Sequence, residues 1–251
     1  MKDQDTFFKN RVDDLKNMAF QRDIVTFTDF LDLHQLHMIK DLKNSFPGIV
    51  TETSGGYEYA ERQMAAFIPD ALSYEWEFPI RCLKITKTVE KFQENLNHRD
   101  YLGAMVHLGV DRGVLGDILL SEDDAWFFCV DSMADFFIQE LVKIRHTSVR
   151  TQMLPQTEPI PEPLRKPVQG TVSSIRLDAI MSVAFGGSRT KLLPFIQGKK
   201  VYVNGCLVTA NGYTLKEGDI VSVRGKGKFQ FLQVLSQTKK GRYAILLEVY
   251  Q

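Results

Sequence analysis

The sequence predicts an α+β protein with an N-terminal helical region, a central domain of alternating strands and helices, and a small C-terminal α/β domain. Apolar residues recur at helical spacing, every three or four positions, near the N-terminus. In the middle of the chain, segments with helical spacing alternate with short apolar segments typical of strands, and after residue 198 apolar residues recur every second position, as in strands. A proline cluster separates the middle of the chain from its last part. We therefore predict an N-terminal region at 1–78, a central domain at 79–154, a linker at 155–172 and a C-terminal domain at 173–251.

The N-terminal region is predicted to hold two helices within Asp5–Asn44, because apolar residues recur there every three or four positions. Pro47–Gly48 ends the second helix. Residues 49–53 and 57–68 have the composition of strands, with Gly55–Gly56 between them, and predict a hairpin.

The central domain is predicted to begin at Pro79. Its expected elements are a strand at 80–89, a helix at 98–108, strands at 116–120 and 125–130, a helix at 131–144 and a strand at 148–153. The order β-α-β-β-α-β indicates a ferredoxin-like split βαβ sandwich. Many RNA-binding domains use that architecture, and so do many unrelated proteins.

Five prolines lie within thirteen residues, at positions 155, 159, 161, 163 and 167. This spacing disfavours helix and sheet and predicts an extended linker, although an ordered strap packed on the body fits the composition as well.

The C-terminal domain is predicted to contain two helices followed by a small, mostly antiparallel sheet. The first helix spans 175–185, is capped by Ser173–Ser174 and is closed by Gly186–Gly187. Ser188 caps the second, at 189–197, where Pro194 should kink the helix or shorten it to little more than a turn. Asn204–Gly205 and Gly218–Asp219 are the predicted turns of the sheet.

Charge is distributed unevenly along the chain. Residues 164–251 hold 14 Lys and Arg against 4 Asp and Glu, a net charge of +10, whereas residues 1–163 hold 17 against 27, a net charge of −10. A basic module joined to an acidic body is typical of nucleic-acid binding, because cations that neutralise phosphates release counterions. A solvated lysine-rich surface without a partner is the other interpretation of this charge.

Several functional classes are disfavoured by composition. No apolar run is long enough to span a membrane, and the acidic, amphipathic N-terminus resembles no targeting signal, so we expect a cytoplasmic protein. The three cysteines, Cys82, Cys129 and Cys206, are too far apart for a disulfide framework or a zinc site, and Cys129 is expected to be buried. We predict no cofactor, no metal and no catalytic residue.

The C-terminal domain resembles the RNA-binding domain first recognised in small-subunit ribosomal protein S-four. The matching segments are Arg176–Asp178, Ser188–Arg189 with Lys191, Ile196, Val201–Gly205 and Gly218–Val223. In that family two helices form an L-shaped arm that lies against structured RNA. This chain departs from the usual pattern at Pro194 and where Gly198 is followed by two lysines.

The start of the second helix is expected to bind phosphate, because a helix N-terminus exposes unpaired N–H groups and a partial positive charge. Arg189 can contact two phosphate oxygens at once, and Lys191, Lys199 and Lys200 are expected on adjacent surface. Arg176 and Asp178 are expected to pair mainly for structure. The predicted RNA-binding residues are Arg176, Ser188, Arg189, Lys191, Lys199, Lys200, Asn204, Arg224, Lys226 and Lys228, with Arg99 and Arg112 as weaker candidates in the body.

The chain as a whole resembles the bacterial YlmH family. The segments that carry this resemblance are 27–33, 54–57, 60–62, 97–104, 108–109, Arg112, 116–118 and the Gly- and Lys-rich stretch 223–229. The resemblance implies a non-enzymatic, cytoplasmic role in quality control of stalled nascent chains. It also implies binding to structured RNA, namely rRNA and tRNA, and to the large ribosomal subunit, without membrane or DNA partners.

Three other interpretations were weighed against that role. His98 and Asp100 suggest general acid–base chemistry, but neighbours two positions apart on a helix do not face each other, so we expect a structural or RNA-contact role. An accessory to an RNA-modifying enzyme, of the pseudouridine synthase or methyltransferase type, would need a catalytic aspartate domain or a Gly-rich cofactor loop. An adaptor linked to cell division would use the acidic body as a docking face.

Overall fold

The computed structural model describes residues 2–42, 46–88, 94–121, 123–155, 158–163 and 165–250. The chain divides into two compact units, residues 1–162 (unit 1) and 163–251 (unit 2). The predicted boundary between 78 and 79 lies inside unit 1. Within the described residues, no helix combines the length and apolar character needed to cross a membrane.

Unit 1 begins with two helices and a small antiparallel sheet. Its elements are α1 (Lys2–Arg22), β1 (Thr26–Phe27), α2 (Leu33–Asp41), β2 (Ile49–Ser54) and β3 (Met64–Pro69), and the strand order is β1-β3-β2. α2 starts at a capping box in which Asp32 accepts a hydrogen bond from the Gln35 N–H and the Gln35 side chain accepts one from the Asp32 N–H. Apolar residues of both helices pack on β3 at Phe67.

The predicted hairpin is present, since β2 pairs with β3 in antiparallel register. Gly55 and Gly56 do not form its turn, however, but open a nine-residue loop at 55–63. A Cβ on Gly55 would lie 2.3 Å from the Cβ of Ala60, so the loop folds back more closely than any other residue permits. β1 was not predicted, because two residues are too few to show a period.

The rest of unit 1 is a five-stranded antiparallel sheet with two helices. Its elements are β4 (Ile80–Lys87), α3 (His98–His107), β5 (Leu115–Leu120), β6 (Asp124–Val130), α4 (Ala134–Glu140), β7 (Lys143–Ile144) and β8 (Thr147–Met153). The strand order is β5-β6-β4-β8-β7. The order of elements follows the sequence prediction, with β7 as an addition; the predicted end of the first strand at Val89 lies outside the described residues.

Both faces of this sheet are covered at β6, whose successive side chains enter two different clusters. Phe127 and Cys129 lie in the core formed with α3 and α4, where the Phe127 ring meets Phe137 at 5.2 Å between centroids. Phe128 lies in the opposite cluster, which includes Phe30 from the N-terminal part of unit 1. Burial raises the pKa of the Cys129 thiol to about 12. The prediction that Cys129 is a buried apolar residue is confirmed.

The helix predicted at 131–144 is wrong in its bounds. Residues 131–133 form a 3-10 turn, α4 ends at Glu140, and the chain then forms β7. β7 and β8 make a tight hairpin in which Ile144 pairs with Thr147 and Arg145 adopts a positive φ of 53°. Leu141 and Ile144 are both buried, and Ile144 lies in a strand and not in a helix.

Unit 2 is a six-stranded antiparallel sheet with two helices. Its elements are β9 (Arg165–Val172), α5 (Leu177–Ala184), α6 (Arg189–Gln197), β10 (Val201–Val203), β11 (Cys206–Leu207), β12 (Ile220–Val223), β13 (Gly227–Gln237) and β14 (Tyr243–Tyr250). The strand order is β11-β10-β12-β13-β14-β9. Apolar residues of both helices share one core with Phe229 and Phe231. Phe229 is fully buried.

The second half of the predicted linker is not a linker. Arg165–Val172 pairs along its whole length with β14. β9 is an edge strand, and Pro167 is tolerated there because an edge residue can leave one side of its backbone without a ladder partner. Proline density indicated an extended backbone correctly, but the pairing partner lies some eighty residues away and left no local signal.

The two helices of unit 2 also differ in detail from the prediction. α5 starts at Leu177 with Arg176 as its N-cap, because Arg176 forms a bridge with Thr214 and stays extended; Ser173–Ser174 do not cap it. α6 runs for nine residues through Pro194, so its predicted shortening to a turn is wrong. Pro194 is the sixth of these nine residues, and because it lacks only its own N–H, the helix loses a single backbone hydrogen bond there.

Candidate nucleic-acid interface

The carboxylates of unit 2 are all engaged within the unit. Asp178 accepts from the Arg176 guanidinium (3.1 Å), Asp219 from the Asn204 amide (2.9 Å), Glu217 from the Val234 N–H (2.7 Å), and Glu248 pairs with Arg165 (3.4 Å). Because cations outnumber these four groups by ten, most of the positive charge of unit 2 has no carboxylate to neutralise it.

Four cations gather where α6 ends, and we call Lys199, Lys200, Arg224 and Lys226 the helix-end cluster. All four are exposed. The Arg224 N–H donates to the Lys200 carbonyl at 2.9 Å, which fixes the turn between β12 and β13 against the end of α6. The ammonium groups of Lys200 and Lys226 lie 5.8 and 5.7 Å from the centroid of the Phe195 ring. Two ammonium groups thus lie near one aromatic ring.

Cations also lie near aromatic rings on the neighbouring sheet. The Arg224 guanidinium lies 5.2 Å from the Tyr202 ring centroid, and the Lys228 ammonium lies 4.8 Å from that of Tyr250. The turn that carries Arg224 and Lys226 depends on glycine, since Gly225 has a φ of 82°. Cations and rings therefore alternate from the end of α6 across the sheet.

The additional lysine after Gly198 adopts an unusual backbone conformation. Lys199 has a φ of 57°, in the left-handed region, where its N–H bonds to the Ile196 carbonyl (3.2 Å). The Lys200 N–H bonds back to the Phe195 carbonyl (2.9 Å), as at a helix end of the Schellman type. Glycine usually takes this position, so Lys199 strains the helix end while it adds a charge to the cluster.

Replacing Lys199 by glycine should stabilise unit 2 by about 1 kcal/mol, because glycine adopts a positive φ without a Cβ clash. Hydrogen-exchange protection of the α6 and β10 amides in the full chain would measure the change. Lys199→Gln is the matched control, since it removes the charge and keeps the strain; equal protection in both variants would contradict the prediction.

A second group of candidates lies at the start of α6, and we call Ser188, Arg189 and Lys191 the helix-start cluster. Ser188 is the N-cap, although its side chain makes no capping hydrogen bond. All three are exposed, and the Arg189 guanidinium reaches the Ser173 hydroxyl at 3.4 Å. At 1.5 Å per residue the two clusters lie about 14 Å apart along α6. Lys199 and Lys200 thus lie at the opposite end of α6 from Arg189 and Lys191.

Two predicted contact residues of unit 2 have structural partners. Arg176 holds both carboxylate oxygens of Asp178, at 3.1 and 3.3 Å, which agrees with the structural role expected for this pair. The Asn204 amide donates to Asp219, and its carbonyl accepts from the Ile220 N–H at 3.0 Å. Asn204 and Gly205 both have positive φ and form the predicted turn.

The two weaker candidates in unit 1 differ from each other. Arg99 is exposed in the first turn of α3. Arg112 is half-buried and donates to the carbonyls of Leu115 (2.9 Å) and Gly116 (3.3 Å). Burial and the nearby Arg62 lower the pKa of Arg112 to about 10. Arg112 thus supports the fold of unit 1, and its prediction as an RNA contact has no support in the geometry.

Arg112 belongs to a polar joint that connects the two parts of unit 1. Asp117 accepts from the Tyr57 hydroxyl (2.9 Å) and from the N–H groups of Glu61 (2.6 Å) and Arg62 (3.1 Å). The Arg62 guanidinium donates to the carbonyls of Leu115, Phe30 and Arg112. Segments 54–62 and 112–118, which the sequence comparison with YlmH had singled out, therefore meet at this joint.

The suspected catalytic group around His98 is a helix start. Asn97 caps α3 by accepting from the Arg99 N–H, and Asp100 accepts from the Asn97 N–H at 3.0 Å. Asp100 also pairs with Arg145 at 3.5 Å. These contacts match the capping box and give Asp100 a structural role.

The Phe128 side chain is buried within unit 1. The Tyr57 ring stacks on Phe128 with centroids 4.9 Å apart and planes inclined by 10°. A nucleic-acid base that stacked on Phe128 would have to displace Tyr57 first.

Sequence reasoning overlooked one group of exposed cations, Lys239, Lys240 and Arg242, between β13 and β14. The local run Lys-Lys-Gly-Arg was a visible signal, since glycine flanked by cations marks a basic turn.

Comparisons with known proteins match both units. Residues 74–158 match a family model described as a putative RNA-binding domain in YlmH, and residues 175–221 match the S4 domain. The chain thus carries two domains of RNA-binding type.

Two relatives extend the match over most of the chain. The ribosome-associated protein quality control protein P2 of Bacillus subtilis (strain 168) is 29% identical over 223 residues, which are 88% of this chain and 86% of that protein. The structure of the cell division protein ylmH from Streptococcus pneumoniae is 27% identical, covers 63% of this chain and 92% of its own, and has a TM-score of 0.48. The two domain matches and the Bacillus relative thus show that this chain is similar to the YlmH family and carries a C-terminal S4 domain.

Proposed function

We propose that this protein binds structured RNA without catalysis, as rRNA or tRNA on the large ribosomal subunit, during ribosome-associated quality control. The helix-end cluster carries this proposal, because four exposed cations are gathered there beside the rings of Phe195 and Tyr202. The name of the Bacillus relative supports the ribosomal context.

The geometry suits phosphate recognition. Arg224 offers a planar fork that matches two phosphate oxygens, whereas Lys200 and Lys226 act as compact charges. Contact with the rings lowers the freedom of these side chains before RNA arrives, so less entropy is lost on binding. Phosphate contacts fix the position of a protein on RNA and make its affinity depend on salt.

The side chains of unit 1 with catalytic chemistry are either engaged in structural contacts or kept protonated by burial. Asp100 is engaged in the cap of α3 and with Arg145. Burial raises the pKa of the Cys82 and Cys129 thiols to about 12, so both stay protonated near neutral pH and are poor nucleophiles. These observations support a binding role.

We also propose that residues 79–154 form a ferredoxin-like domain. The antiparallel order β5-β6-β4-β8 and the two helices on one face support this assignment. Because Tyr57 covers Phe128, any RNA contact of this domain would use residues other than Phe128.

Co-sedimentation with ribosomal subunits tests the proposal. The wild type should pellet with the large subunit at low salt, and Arg189→Ala with Lys191→Ala should leave a several-fold larger share in the supernatant. The two residues are exposed, so the variant should fold normally. Each lost phosphate contact should also lower the slope of log affinity against log salt by about one.

Lys9→Ala with Lys40→Ala is the matched control, because it removes the same charge from exposed positions of unit 1. Identical sedimentation of the wild type and the Arg189/Lys191 variant would reject the helix-start contact. A wild type that pellets with neither subunit would reject the ribosomal role.

A further inference from the structure

The β13–β14 hairpin extends unit 2 beyond residues 175–221, the part that matches the S4 domain. Its tip, residues 238–242, carries the exposed cations Lys239, Lys240 and Arg242. We call these five residues the hairpin tip.

The hairpin tip has a defined backbone. The Thr238 N–H donates to the Arg242 carbonyl (2.7 Å), and the Arg242 N–H donates to the Thr238 hydroxyl (3.0 Å). Gly241 closes the turn with a φ of 72° and donates its N–H to the Thr238 carbonyl (2.8 Å). The side chains of Lys239 and Lys240 take no part in these bonds. The conformation of the turn therefore does not depend on the two lysine side chains.

The hairpin tip lies beside the helix-start cluster. Tyr243, which follows the tip, pairs with Val172 of β9. The Arg242 guanidinium donates to the Thr171 carbonyl at 3.1 Å, while that of Arg189 reaches the hydroxyl of Ser173 at 3.4 Å. Residues 171–173 therefore hold cations from the tip and from α6 within one or two residues of each other.

Charge accumulates in this region without a carboxylate to balance it. The helix-start cluster contributes Arg189 and Lys191, and the hairpin tip contributes Lys239, Lys240 and Arg242, so two segments that meet at 171–173 carry five cations. The carboxylates of unit 2 are bound elsewhere, Glu217 to Val234 and Glu248 to Arg165, for example. Mutual repulsion among five cations is relieved most effectively by a polyanion.

We propose that the hairpin tip binds the RNA phosphate backbone together with the helix-start cluster, so that unit 2 holds RNA at both ends of α6. The inference rests on the proposed function and adds an RNA-contact element to it. RNA fits the tip better than a protein does, because a protein interface needs an apolar centre and the tip, Thr-Lys-Lys-Gly-Arg, has none.

Filter binding of the full chain to deproteinised large-subunit rRNA, at several salt concentrations, tests this inference. Lys239→Gln with Lys240→Gln should weaken binding several-fold and lower the salt slope by about two, since two phosphate contacts are lost. Lys9→Gln with Lys40→Gln removes the same charge from unit 1 and should leave both quantities near the wild-type values. Arg242 is kept in all variants because it anchors the tip.

These measurements distinguish a hairpin tip that does not contact RNA from a protein that does not bind RNA at all. If the tip variant matches the control while Arg189→Ala with Lys191→Ala still loses binding, the tip is no RNA contact and the proposed function stands. If the tip variant loses binding to intact subunits but keeps binding to naked rRNA, its partner is a ribosomal protein and the inference fails. A wild type that binds no rRNA would overturn both.

Discussion

Replacing Lys200, Arg224 and Lys226 together by glutamine is expected to lower RNA affinity by on the order of 100-fold. Each charged contact to phosphate is worth about 1 kcal/mol or more, and about 1.4 kcal/mol corresponds to tenfold in affinity. The three side chains share one surface because the Arg224 N–H is bonded to Lys200 and because two ammonium groups share the Phe195 ring. Their loss should reduce the salt slope by about three.

The fold of the triple variant should survive. Exposed cation–aromatic contacts contribute only about 0.5–1 kcal/mol each, and the backbone bonds of the turn remain. Melting temperature monitored by circular dichroism checks this point, and filter binding to deproteinised rRNA measures the affinity.

Lys9, Lys40 and Lys143 are exposed in unit 1, and their replacement by glutamine is the control with equal charge loss. Arg224→Lys should recover part of the affinity, because it restores the charge without the planar fork. A triple variant that binds as tightly as this control would show that the helix-end cluster does not contact RNA.

Replacing Asp117 by alanine is expected to destabilise unit 1 by about 3 kcal/mol, because its carboxylate satisfies three donors that would lose their partner. These donors are the Tyr57 hydroxyl and the N–H groups of Glu61 and Arg62. All three belong to the loop between β2 and β3, so the change would also release the contact between that loop and the central sheet.

The nearby guanidinium groups increase this cost. Asp117 favours the charged forms of Arg62 and Arg112, whose pKa values are lowered mainly by burial. Without the carboxylate, two half-buried cations would remain close together.

Urea unfolding followed by tryptophan fluorescence measures the effect in unit 1, because both tryptophans of the chain, Trp76 and Trp126, lie in this unit. Asp123→Ala removes an exposed carboxylate and serves as the control. Asp117→Asn keeps one acceptor oxygen and should lose less stability than Asp117→Ala. A loss below about 0.5 kcal/mol in Asp117→Ala, typical of surface changes, would contradict a structural role for the joint.

Local patterns were sufficient where neighbouring residues decide the structure. Helical periodicity located α1 and α3, and Asn204–Gly205 marked a turn because both residues tolerate a positive φ. A short apolar run located β6, although it could not tell what covers each face of the sheet.

Prediction failed where distant residues decide the structure. β9 is a strand because it pairs with β14, and α4 ends early because Ile144 pairs with Thr147. The exposure of candidate site residues could not be predicted for the same reason. Spacing in the sequence did not show that Arg99 is exposed whereas Arg112 is half-buried.

The sequence by itself determined the class of this protein: a basic C-terminal RNA-binding domain on an acidic α+β body, with motifs of the YlmH family. These properties depend on composition and short motifs, which are local. Only the tertiary structure decided which cations share a surface. It placed Lys226 beside Lys200 at the end of α6, and Arg242 beside Arg189 at its start, through backbone pairings between strands far apart in the chain. Long-range hydrogen bonds and burial determine that arrangement, and neither can be predicted from the local periodicity of the sequence.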